Sequence, residues 1–573
     1  MKKENIFHLY LADYEHRINQ SLEKFKSEKV LSRIWSHDYT LWSDSPDEIT
    51  NRLGWLKSPE TMETKLSEID QFVKELITEG LTTAVLLGMG GSSLAPEVYR
   101  KTFGVKPGYL DLTVLDSTDP GAVLQIAEKY DPEKTIYVVS TKSGGTVETL
   151  SFMKYFYNLG VKYLGKKRVG KHFVAITDPG SGLGKMANEL RFRKIFLNDP
   201  NIGGRYSALT FFGLVPAALL GIDLQRLIKS ALKEVTSNSP EIGKNSWATL
   251  LGVSMAVLAE NHRDKLTFIL SNKLKYLGVW IEQLIAESTG KAGKGILPVV
   301  EEEILDLNEY SQDRQFIFMQ LDDEKEYQGL IKNFSLSGHP VCVIVLNDLY
   351  DIGKEFFRWE LATAIAGWYL KINPFDQPNV EAAKILARDR VKAYQESGLL
   401  EEGEPLYQSK KLKIYGNVAG KSIREIVKSL LKEGNTTPDL IQNRSYLSIQ
   451  AYLKPDLLLE EYLQQLRAHF QKKYKIATTV GYGPRFLHST GQLHKGDAGN
   501  GLFIQLSAHM PDDVEIPEDA GDVKSSISFG ILKKTQYLGD FEALKAAGRK
   551  LIRIDLGKKP IENIKYLLGE LSE

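Results

Sequence analysis

The stretch STKSGGTVET (140–149) follows the apolar run TIYVV and holds little that could pack. It offers the hydroxyls of Thr141, Ser143 and Thr146, the ammonium of Lys142, and two glycines that permit unusual backbone angles. Such a loop can grip a phosphate with hydroxyls and amides; it can equally be a well-capped turn, with Thr146 capping the next helix. A second loop of this kind, GMGGSSLAP (88–96), presents Gly91 and Ser92 where backbone amides at a helix start attract anions. A polar turn, DSTDP (116–120), is a third and favours the phosphate reading. Other residues could move protons. Arg205 follows Gly203 and Gly204, as a surface arginine or one turned into a cleft. Glu287 ends an amphipathic helix ahead of a loop with Lys291 and Lys294; it is either a solvated cap or a base for a carbon-bound proton. Lys384 closes NPFDQPNVEAAK, and GYGPRFLHSTGQLHKG carries His488 and, as a lesser candidate, His494. No HExxH, cysteine pair or Asp/His cluster suggests a metal, and no GxGxxG or GxxxxGK[ST] suggests a nucleotide, so no cofactor is expected.

These loops need a scaffold that brings them to one edge. Short apolar runs at 83–88, 112–116, 135–140, 172–178 and 194–198 alternate with helical periodicity, notably at 146–159 and 183–190. The pattern predicts βαβ units on a parallel sheet, with ligands bound at the carboxyl ends of the strands. A second set follows the helix WATLLGVSMAVLAENH, with strands at 266–271, 315–321 and 340–347 and helices near 273–286 and 355–370. Residues 1–65 read as a polar helical segment with Trp35, Trp42 and Trp55 as anchors. The charged stretch 395–411 reads as a linker. Beyond it YLSIQAYL, KIATTVGYG, GLFIQLS and SISFGILK, with a helix over 456–471, predict a third α/β unit. The expected division is therefore 1–65, 66–240, 241–394 and 395–573: an α/β protein of two tandem doubly wound parallel-sheet domains and a C-terminal α/β extension.

Bulk properties narrow the classes. The 573 residues are 42% hydrophobic and 25% charged, the balance of an ordinary globular chain. Seventy-three basic residues match 73 acidic ones, which argues against a nucleic-acid binder. The longest apolar tract, 209–224, is too short to span a membrane, and MKKENIFHLYLADYEHRINQ lacks the apolar core of a secretory signal, so a cytoplasmic protein is expected. The single cysteine, Cys342, lies in VCVIV and reads as a core thiol.

Taken together the motifs resemble those of the phosphoglucose isomerase family, of the sugar-isomerase fold. GMGGSSLAPE is similar to its GIGGSxLGP, and STKSGGTVET to its S-K-[ST]-x-x-T-x-E-T phosphate loop. IGGRYSALTFFGLVPAALLGID resembles its arginine signature, ESTGKAGKGILP its E-S-x-G-K, and NPFDQPNVEAAK its D-Q-x-x-V-E-x-x-K. The matches keep the family's order from 88 to 384. The resemblance implies interconversion of glucose 6-phosphate and fructose 6-phosphate through a cis-enediol, with no metal or redox cofactor. It implies that Gly91 and Ser92 contact the sugar, that Thr141, Lys142, Ser143 and Thr146 take the phosphate, and that Gln283 and Gln377 bind substrate. Glu287 would shuttle the proton, Arg205 would stabilise the enediolate, and Lys384 would assist ring opening or orientation. The family's ring-opening histidine usually lies between E-S-x-G-K and D-Q. Here HSTGQ stands at 488–492, past Lys384, an arrangement like the isomerase half of transaldolase–isomerase fusions. The family commonly borrows that histidine from a neighbouring subunit, and a homo-oligomer stays open. So do two rival readings: an isomerase that also accepts mannose 6-phosphate, and a sugar-phosphate sensor without turnover.

Overall fold

A computed structural model describes residues 6–243, 246–433 and 445–572. It opens on a strand, β1 (Ile6–Tyr10), in a segment expected to be helical throughout. Phe7 and Leu9 turn inward while His8 and Tyr10 face out, the period of a strand, and β1 lies antiparallel on a later strand with Phe7 opposite Ile344. Five apolar-polar residues between charged flanks give too short a signal to set against helical periodicity. Helices do take over from Glu15, and the tryptophans anchor them in the common core. Trp42 donates its indole N–H to the Ala364 carbonyl (2.9 Å), and Trp55 packs on Tyr206 and Phe357.

The first unit is five parallel strands: β2 (Thr83–Gly88), β3 (Asp111–Leu115), β4 (Thr135–Ser140), β5 (Phe173–Thr177) and β6 (Lys194–Leu197), in the order β3-β2-β4-β5-β6. Strands β2 and β4 are buried on both faces, which is why they read as continuous apolar runs. Gly88 pairs with Ser140, so the loops that follow them leave the same edge side by side.

The second unit repeats the plan with β7 (Lys265–Leu270), β8 (Leu297–Val299), β9 (Arg314–Leu321) and β10 (Val341–Leu346), in the order β1-β10-β9-β7-β8. All its pairs are parallel except the edge strand β1. Cys342 is buried on β10, and burial pushes its thiol up, the state of a core cysteine.

The helix Val380–Ser397 runs into the expected linker, and a third sheet follows. It holds β11 (Tyr407–Gln408), β12 (Lys413–Gly416), β13 (Tyr446–Tyr452), β14 (Ala477–Tyr482), β15 (Gly501–Ser507) and, after the separate hairpin β16 (Glu515–Pro517) and β17 (Ser525–Ser528), β18 (Lys550–Asp555). Its order is β11-β12-β18-β15-β13-β14. SISFGILK is not one strand: it is extended only to Ser528, whose hydroxyl accepts from the Ile531 amide and starts the helix Phe529–Ala546. Phe529 stacks on Phe152 of the helix Val147–Leu164 with ring centroids 5.7 Å apart, so the third unit is docked on the first. No helix among the described residues is long and apolar enough to cross a membrane.

Candidate active site

The GMGGS turn sits where three loops meet. Gly90 has φ +54°, and a Cβ there would lie 2.8 Å from the His488 carbonyl oxygen. A Cβ on Gly91 would lie 2.0 Å from the Gly204 carbonyl oxygen, so only glycine lets this turn touch the turn that carries Arg205. Ser92 is buried beside it.

In the next loop Gly144 has φ +69° and packs on the backbone of Gly182 and Leu183. Thr146 occupies the cap position of the helix Val147–Leu164 but makes no side-chain cap bond; its hydroxyl meets that of Thr141 at 2.9 Å. Ser143, Gly145 and Thr146 line a cavity of about 390 Å³ together with Glu148, Lys384 and His488. Lys142 is not among the lining residues. Its ammonium pairs with Asp178 and donates to the Pro200 carbonyl (2.9 Å). The DSTDP turn serves the third unit rather than a phosphate: Asp116 pairs with Arg485 (2.6 Å), Thr118 donates to Gln536 (2.7 Å) and Asp119 pairs with Lys533 (2.5 Å).

Arg205 is 3% exposed and every nitrogen of its fork is engaged. It donates to Ser288 Oγ (2.8 Å), Gln377 Oε1 (3.0 Å), and the carbonyls of Pro374 (2.7 Å) and Asp376 (2.9 Å), and its Nη1 lies 3.1 Å from Glu287 Oε1. This planar cation is fixed in orientation as well as charge. Gln283 and Glu287 lie one turn apart on the helix Leu277–Thr289, so Gln283 Nε2 reaches Glu287 Oε2 (3.1 Å) and also the His488 carbonyl (2.8 Å). Below them Lys291 donates to the carbonyl and carboxylate of Asp376 (2.5 and 2.7 Å). Burial, with the Arg205 charge adding to it, pulls this lysine down to about 8.

On the other side of the Gln283 contact stands a pair the sequence reading did not name. His488 Nε2 lies 3.0 Å from Glu148 Oε1. Burial raises the Glu148 carboxyl, but the facing imidazole, the hydrogen bond to it, the bond from the residue's own backbone amide and the Lys384 charge together hold it below the usual carboxylate range. Glu148 was in plain view inside STKSGGTVET; its partner lies 340 residues on, a separation that spacing arguments cannot bridge. His488 reaches the first unit from its own chain. Lys384 is exposed on the helix Val380–Ser397, and among the described residues it makes no hydrogen bond or ion pair. His494 is not at the cavity. It is 1% exposed among Tyr446, Phe486 and Phe503, its Nε2 has no hydrogen-bond partner among the described residues, and burial pushes it well below the usual range, which makes it a core residue.

A carboxylate on a fixed guanidinium, and a carboxylate–imidazole pair beside a loop rich in hydroxyls, can move protons on an anion-tethered substrate. Comparison with known proteins bears on which one. A sequence model of the phosphoglucose isomerase family matches residues 59–324. The chain is 28% identical over 471 residues to a glucose-6-phosphate isomerase of Carboxydothermus hydrogenoformans, covering 70% of this chain and 98% of the relative. It is 27% identical over 393 residues to a glucose-6-phosphate isomerase of Thermus thermophilus, covering 59% and 90%. Among solved structures it superposes on a hypothetical protein from Thermus thermophilus at TM-score 0.57 and 25% identity, covering 67% of this chain and all of the other. A glucose-6-phosphate isomerase from Chlamydia trachomatis, 19% identical with TM-score 0.56 over 68% of this chain and 89% of its own, shares the fold.

Proposed function

This chain belongs to the phosphoglucose isomerase family, and on that premise we propose that it interconverts glucose 6-phosphate and fructose 6-phosphate by moving one proton along the opened sugar. The observation that carries the reading is the Glu287 carboxylate fixed between Arg205 and Gln283, with Gln283 also holding the His488 loop.

The phosphate is taken by Thr141, Ser143, Thr146 and the amides that start the helix Val147–Leu164, with Lys142 acting from its ion pair at the rim. Gly91 and Ser92 border the sugar. His488, polarised by Glu148, exchanges a proton with the ring oxygen and opens the ring. Glu287 then takes the carbon-2 proton of the open aldehyde. The C–H electrons form the carbon 1–carbon 2 double bond, and negative charge develops on oxygen 1. Returning the proton to carbon 1, while the carbon-2 hydroxyl proton is transferred to oxygen 1 directly or through solvent, leaves the ketone at carbon 2, a hydroxyl at carbon 1 and no net redox change. Arg205 stabilises the enediolate, a term worth about 3–4 kcal/mol for a preorganised donor in a desolvated site. Gln377, held by Arg205, and Lys384 orient the sugar from the opposite side. Hexose 6-phosphate is then the small-molecule partner, and the same reading carries a cytoplasmic location.

Glu287→Gln keeps the shape and removes the base. It is expected to abolish solvent exchange of the carbon-2 proton while leaving sugar-phosphate affinity within about twofold, measured by deuterium uptake and by equilibrium binding. Undiminished exchange would remove Glu287 from the mechanism.

A further inference from the structure

The third unit delivers His488, and the structure shows a second element of that unit touching the same pair. On the helix Phe529–Ala546, residues 529, 533, 536 and 540 fall at spacings of four, three and four, and so share one face. Phe529 stacks on Phe152, Lys533 pairs with Asp119 (2.5 Å), and Asp540 takes the ammonium of Lys495 (2.6 Å). Gln536 is fixed among these anchors, 6% exposed. Its Nε2 donates to Glu148 Oε1 at 2.8 Å, and its Oε1 accepts from the fully buried Thr118 hydroxyl at 2.7 Å.

We propose that Gln536 is a positioning residue for the reaction, the middle of a chain Thr118–Gln536–Glu148–His488 that orients the carboxylate on which the histidine depends. The inference rests on the isomerase reading above. The chemistry fixes the amide's sense. An ionised carboxylate can only accept, so the amide nitrogen must face Glu148, and the oxygen is left for the hydroxyl of Thr118. Two donors then converge on one oxygen, Glu148 Oε1, and set the carboxylate plane relative to the imidazole. A neutral donor does this without supplying a positive charge that would compete with the imidazole for Glu148. The charged and titratable groups that bear on Glu148 from the packed elements are His488, Lys384 of the helix Val380–Ser397 and Tyr452 of β13.

Gln536→Leu keeps the bulk and removes the donor. With fructose 6-phosphate, kcat should fall by roughly tenfold or more, as for a lost hydrogen bond to a charged group. The KM should stay within about twofold, because the phosphate loop is untouched. A carboxylate that loses a donor titrates higher, so the acid limb of the kcat profile should move to higher pH. Thr118→Val frees the amide to turn and should shift both readouts the same way by less; it keeps the test decisive if Gln536→Leu does not fold. Wild-type kcat and an unmoved acid limb in the variants, with or without a lower melting temperature, would overturn the relay while leaving the isomerase reading intact. A wild-type protein that does not turn over hexose 6-phosphate would overturn that reading, and the relay's role in it.

Discussion

Replacing Glu148 by Gln tests the histidine pair directly. The substitution keeps the side-chain shape, leaves an oxygen that can still accept from His488 or Gln536, and removes only the charge facing the imidazole at 3.0 Å. At that separation an effective dielectric of about 20 gives a ceiling of roughly 5.5 kcal/mol for the ion-pair term. Hydrogen bonds to charged groups contribute about 1.5–3 kcal/mol when measured by deletion, and that range applies better to a pair at the wall of an open cavity. The expected loss is therefore about 2–3 kcal/mol, a fall in kcat of roughly 30- to 150-fold at about 1.4 kcal/mol per decade. Turnover of fructose 6-phosphate gives that number. The diagnostic comparison uses 5-deoxyfructose 6-phosphate, which lacks the hydroxyl that closes the furanose ring and needs no ring opening. On it the variant should exchange carbon-bound protons with solvent at nearly the wild-type rate, whereas Glu287→Gln should be inert on both substrates. Equal slowing on both by Glu148→Gln would refute the assignment of the pair to ring opening.

Two further outcomes follow from the geometry. Because Gln283 holds both the Glu287 carboxylate and the His488 backbone of the same chain, mixing inactive His488→Ala and Glu287→Gln proteins should restore no activity; recovery on mixing would show that the histidine crosses between chains. Lys291 is pulled down to about 8 in the fold while an unfolded lysine titrates near 10.5, so between those values the unfolded chain binds more protons. Folding stability should accordingly rise with pH from about 8 to 10.5 in the wild type relative to Lys291→Met, as read from denaturant midpoints; a constant difference across that window would contradict the buried-lysine account.

Much of the scaffold was legible because parallel strands covered on both faces leave long apolar runs, and TAVLLG, TIYVVS and PVCVIVL carried that mark. Strands without it were missed. β1 is a five-residue edge strand between polar flanks, β8 has three residues, and KLIRID of β18 carries charge at half of its six positions. SISFGILK failed for a different reason, since a serine cap outweighed the β-branched composition around it. Within the site, the glycine loops and Arg205 were readable because backbone sterics and fork geometry demand those residue types. Glu148 and Gln536 were not, because their meaning lies in partners hundreds of residues away in sequence. DSTDP was misread for the same reason: its polar groups were counted as free for a ligand when another part of the chain had already taken them.

The distance along the chain between Glu148 and His488 also has a meaning in time. At synthesis rates of about 5–20 residues per second, roughly 20–70 seconds separate the emergence of the two residues from the ribosome. During that interval the first parallel sheet can close, yet the Glu148 carboxyl lacks the facing imidazole that later helps hold it below the usual carboxylate range. With the residues that cover it still unmade that carboxyl faces water, so the nascent first unit has no carboxylate–imidazole pair. The pair comes together only when the third unit has been made and has closed over the first.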